Sequence, residues 1–280
     1  MDKQWFFVDW ETSLGAGGEG EVFLGRCVET WEACAVKVSG CIDPEEAAKQ
    51  LKAEFERCTR AASPGAVGLI AWNFEPPRPF LVFELARAGT LADEMRKLRK
   101  QGSVYHPARA LERIREVLVA LDHVHQSGLI HRDVKPANLL RFGSSIKLTD
   151  FGTGRTLLRP ESSHTEAFVG TRMYAAPEQV EGARVDDRAD LYAVGCILHE
   201  MLTGEVPPSG GAGAGPASRK YSSALVIPVL DRLLTSLLHP DRAQRPADAR
   251  EALARVDATL ASYRSARDVW TQLRLGPSPY

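Results

Sequence analysis

Residues 131–152 read HRDVKPANLLRFGSSIKLTDFG, a stretch in which short strand-like runs alternate with polar loops. Three residues with oxygen donors, Asp133, Asn138 and Asp150, fall on the loops around those runs. One such group can take a proton from a hydroxyl while the others hold magnesium, which prefers oxygen ligands. The alternative is that these acids merely cap turns. Their spacing instead predicts a magnesium-dependent site that acts on a hydroxyl group.

A glycine-rich stretch, LGAGGEGEV at 14–22, contains the pattern G-x-G-x-x-G. Taken alone this pattern is weak, because a chance glycine-rich turn also produces it. A dinucleotide-binding site would need a helix directly after the glycines, whereas EVFLGRCV at 21–28 resembles a strand. A loop between two strands lets bare backbone amides approach phosphate oxygens. The stretch therefore favours a nucleotide lid.

Lys37 lies in the segment CAVKVS, between two valines that indicate a buried strand. A buried lysine costs desolvation energy unless it meets an anion. The alternative is an edge-strand lysine that remains in water. An acidic partner on the following helix would hold Lys37 in place, and Glu54 or Glu56 can serve.

The first third of the chain is predicted to be a small domain that ends near residue 88. Residues 5–38 have the pattern of strands and turns, residues 44–62 that of a helix that starts at Pro44, and PFLVFEL at 79–85 that of a further strand. The remainder is predicted to be mainly helical, with a third helix that starts at Pro246 and can continue beyond residue 260. Two earlier helices there carry apolar stripes at three- and four-residue steps, one from Leu111 to Val124 and one from Leu191 to Leu202.

Composition excludes some classes of partner. The 280 residues carry a formal net charge of -1, with 35 Lys and Arg against 36 Asp and Glu, so no basic field favours nucleic acid or a membrane surface. The five cysteines are odd in number and form no C-x-x-C pair, which fits a reducing compartment. No signal peptide or apolar run of membrane-spanning length is recognised, so we expect a cytoplasmic protein.

Five ordered motifs resemble those of the protein kinase superfamily. They are the glycine-rich loop, A-V-K at 35–37, H-R-D-x-x-x-x-N, D-F-G, and A-P-E at 176–178. The resemblance covers roughly residues 8–257 and implies an α+β, bilobal fold. It implies a mainly β N-lobe with one helix at 1–84, a hinge at 85–90, a mainly α C-lobe at 91–257 and an extension at 258–280. The extension is open to three interpretations: a helix that packs on the large lobe, a linker, or a tail.

The resemblance also implies the nucleotide site. Lys37 is expected to contact the α- and β-phosphates of ATP and to pair with Glu54, because Glu54 stands ten residues before Pro64; Glu56 is the second choice. The backbone of Glu84 and Ala86 is expected to bond the adenine, beside a gatekeeper at Phe83. The remaining residues expected to surround ATP are Leu14, Gly15, Ala16, Gly17, Gly18, Gly20, Val22 and Ala35.

The catalytic roles follow from the same resemblance. Asp133 is expected to be the base that orients the substrate hydroxyl, and Lys135 to steady the transferred phosphate. Asn138 and Asp150 are the expected ligands of Mg²⁺, with Mn²⁺ as a possible substitute. Of the architectural residues, Asp190 is expected to brace the catalytic loop, while Arg245 pairs with Glu178 and His123 and His125 only pack.

The motif details are similar to those of bacterial, eukaryotic-like serine/threonine kinases. Lys135 two residues after Asp133, and Gly170-Thr171 before A-P-E, indicate a serine or threonine acceptor in a protein. Thr165 is the expected autophosphorylation site, with Thr171 as a second candidate. Transfer between two copies would use a homodimer. The alternatives are a pseudokinase scaffold, which would be expected to lack Lys37, Asp133, Asp150 or a loop glycine, and a small-molecule phosphotransferase, which would usually lack A-P-E.

Overall fold

The fold is the predicted α+β arrangement of two lobes. The computed structural model describes residues 5–17, 20–151, 173–207 and 227–272, with side chains described through residue 265. A five-stranded sheet and one helix form the small lobe, and helices with a two-stranded sheet form the large lobe. This arrangement confirms the fold class expected from the motifs.

The small lobe is an antiparallel sheet with strand order β1-β2-β3-β5-β4. Its strands are β1 (Phe6–Gly17), β2 (Gly20–Cys27), β3 (Ala33–Ser39), β4 (Leu69–Asn73) and β5 (Phe80–Glu84). Helix α1 (Pro44–Arg60) begins with Pro44 in its first turn and with Asp43 as its N-cap, whose carboxylate accepts from the Glu45 N–H. Its buried face includes Glu54, which the helix thereby directs inward.

The large lobe is built around helices α3 (Pro107–Gln126) and α5 (Arg188–Thr203). Nearly all residues of α5 are buried, and the helix ends at Gly204, which has a left-handed φ of 82°. The other elements are α2 (Leu91–Lys100), β6 (Leu139–Phe142), β7 (Ser145–Leu148), α4 (Pro177–Val180), α6 (Ile227–Leu237) and α7 (Ala249–Gln272). The β6-β7 hairpin presents the loops before and after it at one end.

Helix α7 differs from its prediction at its start. It begins at Ala249 rather than Pro246, and it continues without a break past residue 260, as the sequence allowed. It packs along α3, and its later residues Leu260 and Tyr263 are buried. The low-complexity stretch SGGAGAGPAS at 209–218, which its composition predicts to be a loop, lies outside the described residues.

The loop between α1 and β4 joins the two lobes. The Val67 N–H donates to the Leu148 carbonyl at 2.9 Å, and the Leu148 N–H donates to the Gly65 carbonyl at 2.8 Å. Gly65 has no room for a side chain, because an added Cβ would lie 2.2 Å from the Ala120 carbonyl oxygen of α3. Backbone contact therefore anchors the small lobe to the strand that leads to Asp150.

Candidate active site

Lys37 of β3 stands between two carboxylates that come from different lobes. Its Nζ lies 2.6 Å from Glu54 Oε1 on α1 and 3.0 Å from Asp150 Oδ1, which follows β7. The Lys37 and Glu54 side chains are almost fully buried, whereas the Asp150 side chain is 43% exposed. The structure thus places Glu54, and not Glu56, against Lys37.

The charge of Lys37 is secured by its partners. Burial by itself would lower the pKa of this amine, but the carboxylates of Asp150 and Glu54 outweigh burial and raise the pKa above its usual value. Lys37 is therefore a permanent cation at neutral pH. A fixed cation beside the partly open Asp150 carboxylate is suited to holding an anionic ligand.

The catalytic loop gathers Asp133, Lys135 and Asn138. Lys135 Nζ lies 2.9 Å from Asp133 Oδ2. The Asn138 amide nitrogen donates to the Asp133 carbonyl at 2.9 Å and to Asp133 Oδ2 at 3.0 Å. A short 3₁₀ turn at Pro136–Asn138 brings the asparagine back toward the aspartate. Because the amide nitrogen is engaged, the Asn138 amide oxygen is the atom suited to bind a metal.

Asp190, at the start of α5, holds the beginning of this loop. Its carboxylate accepts the backbone N–H of His131 at 2.9 Å and that of Arg132 at 2.8 Å. Arg132 has a φ of 65°, in the left-handed region that side chains other than glycine rarely adopt. Such a conformation persists where the surroundings hold it in place. Asp190 thus braces the catalytic loop, as the sequence suggested.

His125 supports Asp190 and does more than pack. Its Nε2 lies 2.8 Å from Asp190 Oδ2, and both side chains are buried. Burial opposes the charge on each residue, but the mutual hydrogen bond and charge outweigh it, so the pKa of His125 is raised and the pKa of Asp190 is lowered. No local sequence pattern indicated this contact, because α3 and α5 meet only in the fold.

The glycine-rich stretch is the hairpin of β1 and β2. Gly15 pairs with Val22 and Gly17 with Gly20, and Gly18 lies outside the described residues. Added Cβ atoms at Gly15 and Gly17 would meet nothing within 4 Å, whereas Gly20 has a φ of 141° and no room beside the Val38 carbonyl. The hairpin that the sequence suggested is present, with open space beside its first two glycines.

The segment expected to contact adenine follows β5. Phe83 is buried and pairs across the sheet with Ala35. The expected gatekeeper and one of the residues expected to surround ATP therefore lie side by side on adjacent strands. The Glu84 side chain makes contacts that the sequence did not indicate: Oε1 lies 2.5 Å from Lys147 Nζ and accepts from the Gly68 N–H at 2.6 Å. The Ala86 carbonyl accepts from the Gly89 N–H at 3.2 Å.

The A-P-E motif is fixed to the large lobe by a bidentate ion pair. Glu178 accepts from Arg245 at 2.7 and 2.8 Å, and the Arg245 side chain is fully buried. Gln179, which the sequence did not single out, bonds both the motif and the catalytic loop. The phosphorylation candidates Thr165 and Thr171 lie outside the described residues.

Comparison with known proteins places this site in a family. The family described as "Protein kinase domain" matches residues 9–256. The chain is 35% identical over 266 residues to serine/threonine-protein kinase PknB of Mycolicibacterium smegmatis, which covers 87% of this chain and 42% of that protein. It is 36% identical over 225 residues to PknB of Mycobacterium tuberculosis, covering 77% of this chain and 35% of that protein.

A third relative has a different name. Serine/threonine-protein kinase PknJ of Mycobacterium tuberculosis is 36% identical over 218 residues, covering 74% of this chain and 36% of that protein. The chain spans less than half the length of each of these relatives. Across the described part of the chain, no helix combines the length and the apolar character needed to cross a membrane. With its family match spanning both lobes, the chain belongs to the protein kinase family.

Proposed function

We propose that this chain is an ATP-dependent serine/threonine protein kinase that transfers the γ-phosphate to hydroxyl groups of proteins. The observation that carries the proposal is the pair of contacts that Lys37 makes with Glu54 and Asp150 at 2.6 and 3.0 Å. These contacts bring a fixed cation from the small lobe to the expected metal ligand of the large lobe. A pseudokinase would be expected to lack part of this set.

Each residue of the site has a separate role in the proposed phosphoryl transfer. Lys37 orients the α- and β-phosphates, and Asp133 accepts the proton of the acceptor hydroxyl as its oxygen attacks the γ-phosphorus. The bond from that phosphorus to the β–γ bridging oxygen breaks, and ADP leaves. Lys135, 2.9 Å from Asp133, steadies the transferred phosphate near the base. Catalysis is then mostly positioning and neutralisation of charge.

The donor atoms fit Mg²⁺. Asp150 offers a partly exposed carboxylate, and Asn138 offers its amide oxygen, both hard oxygen ligands. Such a site uses few protein ligands and completes its shell with phosphate oxygens and water. Bound there, Mg²⁺ or Mn²⁺ would neutralise charge that develops on the phosphates. The nucleotide itself is assigned to the hairpin glycines and to the backbone of Glu84 and Ala86.

The acceptor and the regulation are proposed from the motifs and the relatives. Relatives named serine/threonine-protein kinases favour serine or threonine in protein substrates. Arg132 is exposed in the catalytic loop, and we assign its guanidinium as the partner of a phosphate on Thr165. Thr171 is the second candidate site. Transfer between two copies in a homodimer would then activate the enzyme.

The organisation of the chain is part of the same proposal. We assign an N-lobe to 1–84, a hinge to 85–90, a C-lobe to 91–257 and an extension to 258–280, the first part of which packs on the C-lobe as a continuation of α7. All five cysteines are free thiols, which supports a cytoplasmic location. The even balance of charge gives no support for a nucleic-acid or membrane partner.

Incubation with labelled ATP and Mg²⁺ and a generic acceptor such as myelin basic protein tests the proposal. Wild-type protein should label the acceptor and itself, with phosphate mapped to Thr165 or its neighbours. Asp133→Ala should lower transfer about a hundredfold or more while ATP still binds, and Asp257→Asn, which alters only an exposed ion pair with Arg115 of α3, should leave transfer unchanged. ATP binding without transfer would indicate a scaffold. Transfer only to small alcohols or amines would indicate a small-molecule phosphotransferase.

A further inference from the structure

Gln179, in the short helix α4, connects two parts of the site that are distant in sequence. Its Oε1 accepts the Ala176 N–H at 3.0 Å, and its Nε2 donates to the Arg132 carbonyl at 2.8 Å. Gln179 is 7% exposed and Ala176 is fully buried, so water cannot readily replace either bond. One amide thereby joins the A-P-E motif to the residue before Asp133.

The bond to Arg132 falls on the peptide group that precedes the expected base. The N–H of this peptide, which belongs to Asp133, donates to His131 Nδ1 at 3.3 Å, while its carbonyl accepts from Gln179. His131 Nε2 lies 3.0 Å from the Thr149 carbonyl, so Nε2 carries the proton and Nδ1 is free to accept. Both polar groups of the peptide are therefore held by buried side chains.

The conformation of Arg132 makes this support necessary. Its φ of 65° is unfavourable for a residue with a side chain. Asp190 fixes the N–H on one side of Arg132, and Gln179 fixes the carbonyl on the other. Without the bond to Gln179, the peptide between Arg132 and Asp133 keeps the longer 3.3 Å bond to His131 but can rotate toward a relaxed conformation. Such a rotation would redirect the Asp133 carboxylate, which leaves the same backbone.

The A-P-E end of this connection is itself held by several hydrogen bonds. Glu178, the neighbour of Gln179, forms two hydrogen bonds with the buried Arg245, which also donates to the carbonyls of His239, Arg188 and Pro240. Hydrogen bonds and chain connectivity thus link the buried Arg245 through Glu178 and Gln179 to the catalytic loop. We propose that Gln179 is a positioning residue for Asp133, acting through the Arg132 carbonyl. This inference rests on the proposed kinase function.

Two substitutions distinguish the effects of the two hydrogen bonds that Gln179 makes, one with Ala176 and one with Arg132. Gln179→Glu keeps an acceptor for the Ala176 N–H but places a carboxylate oxygen against the Arg132 carbonyl. Gln179→Met keeps the approximate length and removes both bonds without adding a charge. Gln101→Glu, in the exposed residue that follows α2, is the matched control for the added charge.

Steady-state transfer to a generic acceptor protein measures the effect. We expect kcat to fall about tenfold or more in both variants, because small misplacements of a catalytic group are costly, while the KM for ATP stays within about twofold of wild type. Since burial raises the pKa of a carboxyl group, the introduced acid can regain a proton as pH falls from about 8 to 6 and donate to the Arg132 carbonyl. The kcat of Gln179→Glu relative to wild type should then rise, whereas that of Gln179→Met should not.

Several outcomes would overturn the inference. A kcat within about twofold of wild type in either variant would show that the bond to Arg132 does not position Asp133. The inference would also fail if the kcat of Gln179→Glu, relative to wild type, did not rise as the pH is lowered. If both variants lose ATP binding and thermal stability together, Gln179 serves only folding, and the inference also fails. An inactive wild-type protein would instead refute the proposed function, so the two failures can be told apart.

Discussion

Lys37 illustrates how single residues set the chemistry of this site. Its amine is buried between the carboxylates of Glu54 and Asp150, so removing it leaves two acids close together without their cation. Lys37→Met should lower kcat about a hundredfold, because misaligned phosphates lose the transfer geometry. ATP should still bind, since its other contacts remain. Calorimetric ATP binding and labelled transfer measure the two quantities separately.

The exposed Lys52 of α1 provides the control for this change. Lys52→Met removes the same charge from the same lobe and should leave both kcat and ATP affinity unchanged. Equal losses in the two variants would contradict a specific role for Lys37. A large loss of ATP affinity with unchanged kcat would assign Lys37 to binding alone.

His125 makes a pH-dependent contribution to stability. Its pKa is raised in the folded state by Asp190, against the effect of burial, so its stabilising charge is fully present below the unfolded value of about 6.5. That contribution is lost as pH rises through the raised folded pKa. The pKa of Asp190 is lowered, so this carboxylate stays ionised in mild acid.

The variant His125→Gln tests this linkage. It should reduce the free energy of unfolding by about 2 kcal/mol near pH 5.5, as loss of a charged buried hydrogen bond does, and by less near pH 9. Urea unfolding at both pH values gives the difference. His239→Gln, at a residue whose ring bonds only its own loop, is the control. A penalty that grows with pH would contradict the assigned direction.

The sequence allowed prediction of those candidate residues that lie in short motifs. Lys37, Asp133, Asn138 and Asp150 could be predicted as site residues because the chemistry of the resembled family requires those side chains at fixed local spacing. Gln179 could not be found in this way, because its partner Arg132 lies on a loop 47 positions away in the chain. Its role depends on the tertiary contact between α4 and the catalytic loop.

At the scale of elements, the apolar periods predicted the long helices, but α7 starts three residues later than predicted, at Ala249 rather than Pro246. The sequence allowed α7 to continue beyond residue 260 but did not decide between a packed helix, a linker and a tail. The buried positions of Leu260 and Tyr263 against the large lobe favour the packed helix. Tyr263 also lies 3.0 Å from His106 at the start of α3. The later part of α7 is therefore part of the packed core rather than an appendage.

The substitution Tyr263→Ala tests that conclusion. It should lower the free energy of unfolding by about 3 kcal/mol, because it empties a buried aromatic site. The neighbouring Ser262 is exposed, so Ser262→Ala should change stability by less than about 0.5 kcal/mol. Chemical unfolding of the whole chain measures both. Equal and small effects would mean that this part of α7 contributes little to the fold.

At the scale of the whole molecule, the lobes are connected by close backbone contact as well as by the chain between β5 and α2. An added methyl group at Gly65 would overlap the backbone of Ala120 in α3. Gly65→Ala should therefore cost about 2 kcal/mol or more through overpacking. Gly40→Ala is the matched control, since an added Cβ there meets no atom closer than 3.6 Å. Unfolding curves that coincide for the two variants would contradict this account of the junction.

Nucleotide binding should stabilise both lobes together, because the residues proposed to hold the nucleotide and its metal come from both lobes. A ligand that binds only the folded state at about 100 times its Kd adds about 2.7 kcal/mol to stability. ADP should therefore raise the melting temperature, and Mg²⁺ should raise it further. Asp150→Asn should abolish the Mg²⁺-dependent increment and leave the increment from metal-free ADP, since Lys37 and the hairpin remain. The exposed substitution Asp257→Asn should retain both increments. An unchanged Mg²⁺ increment in Asp150→Asn would place the metal on other residues.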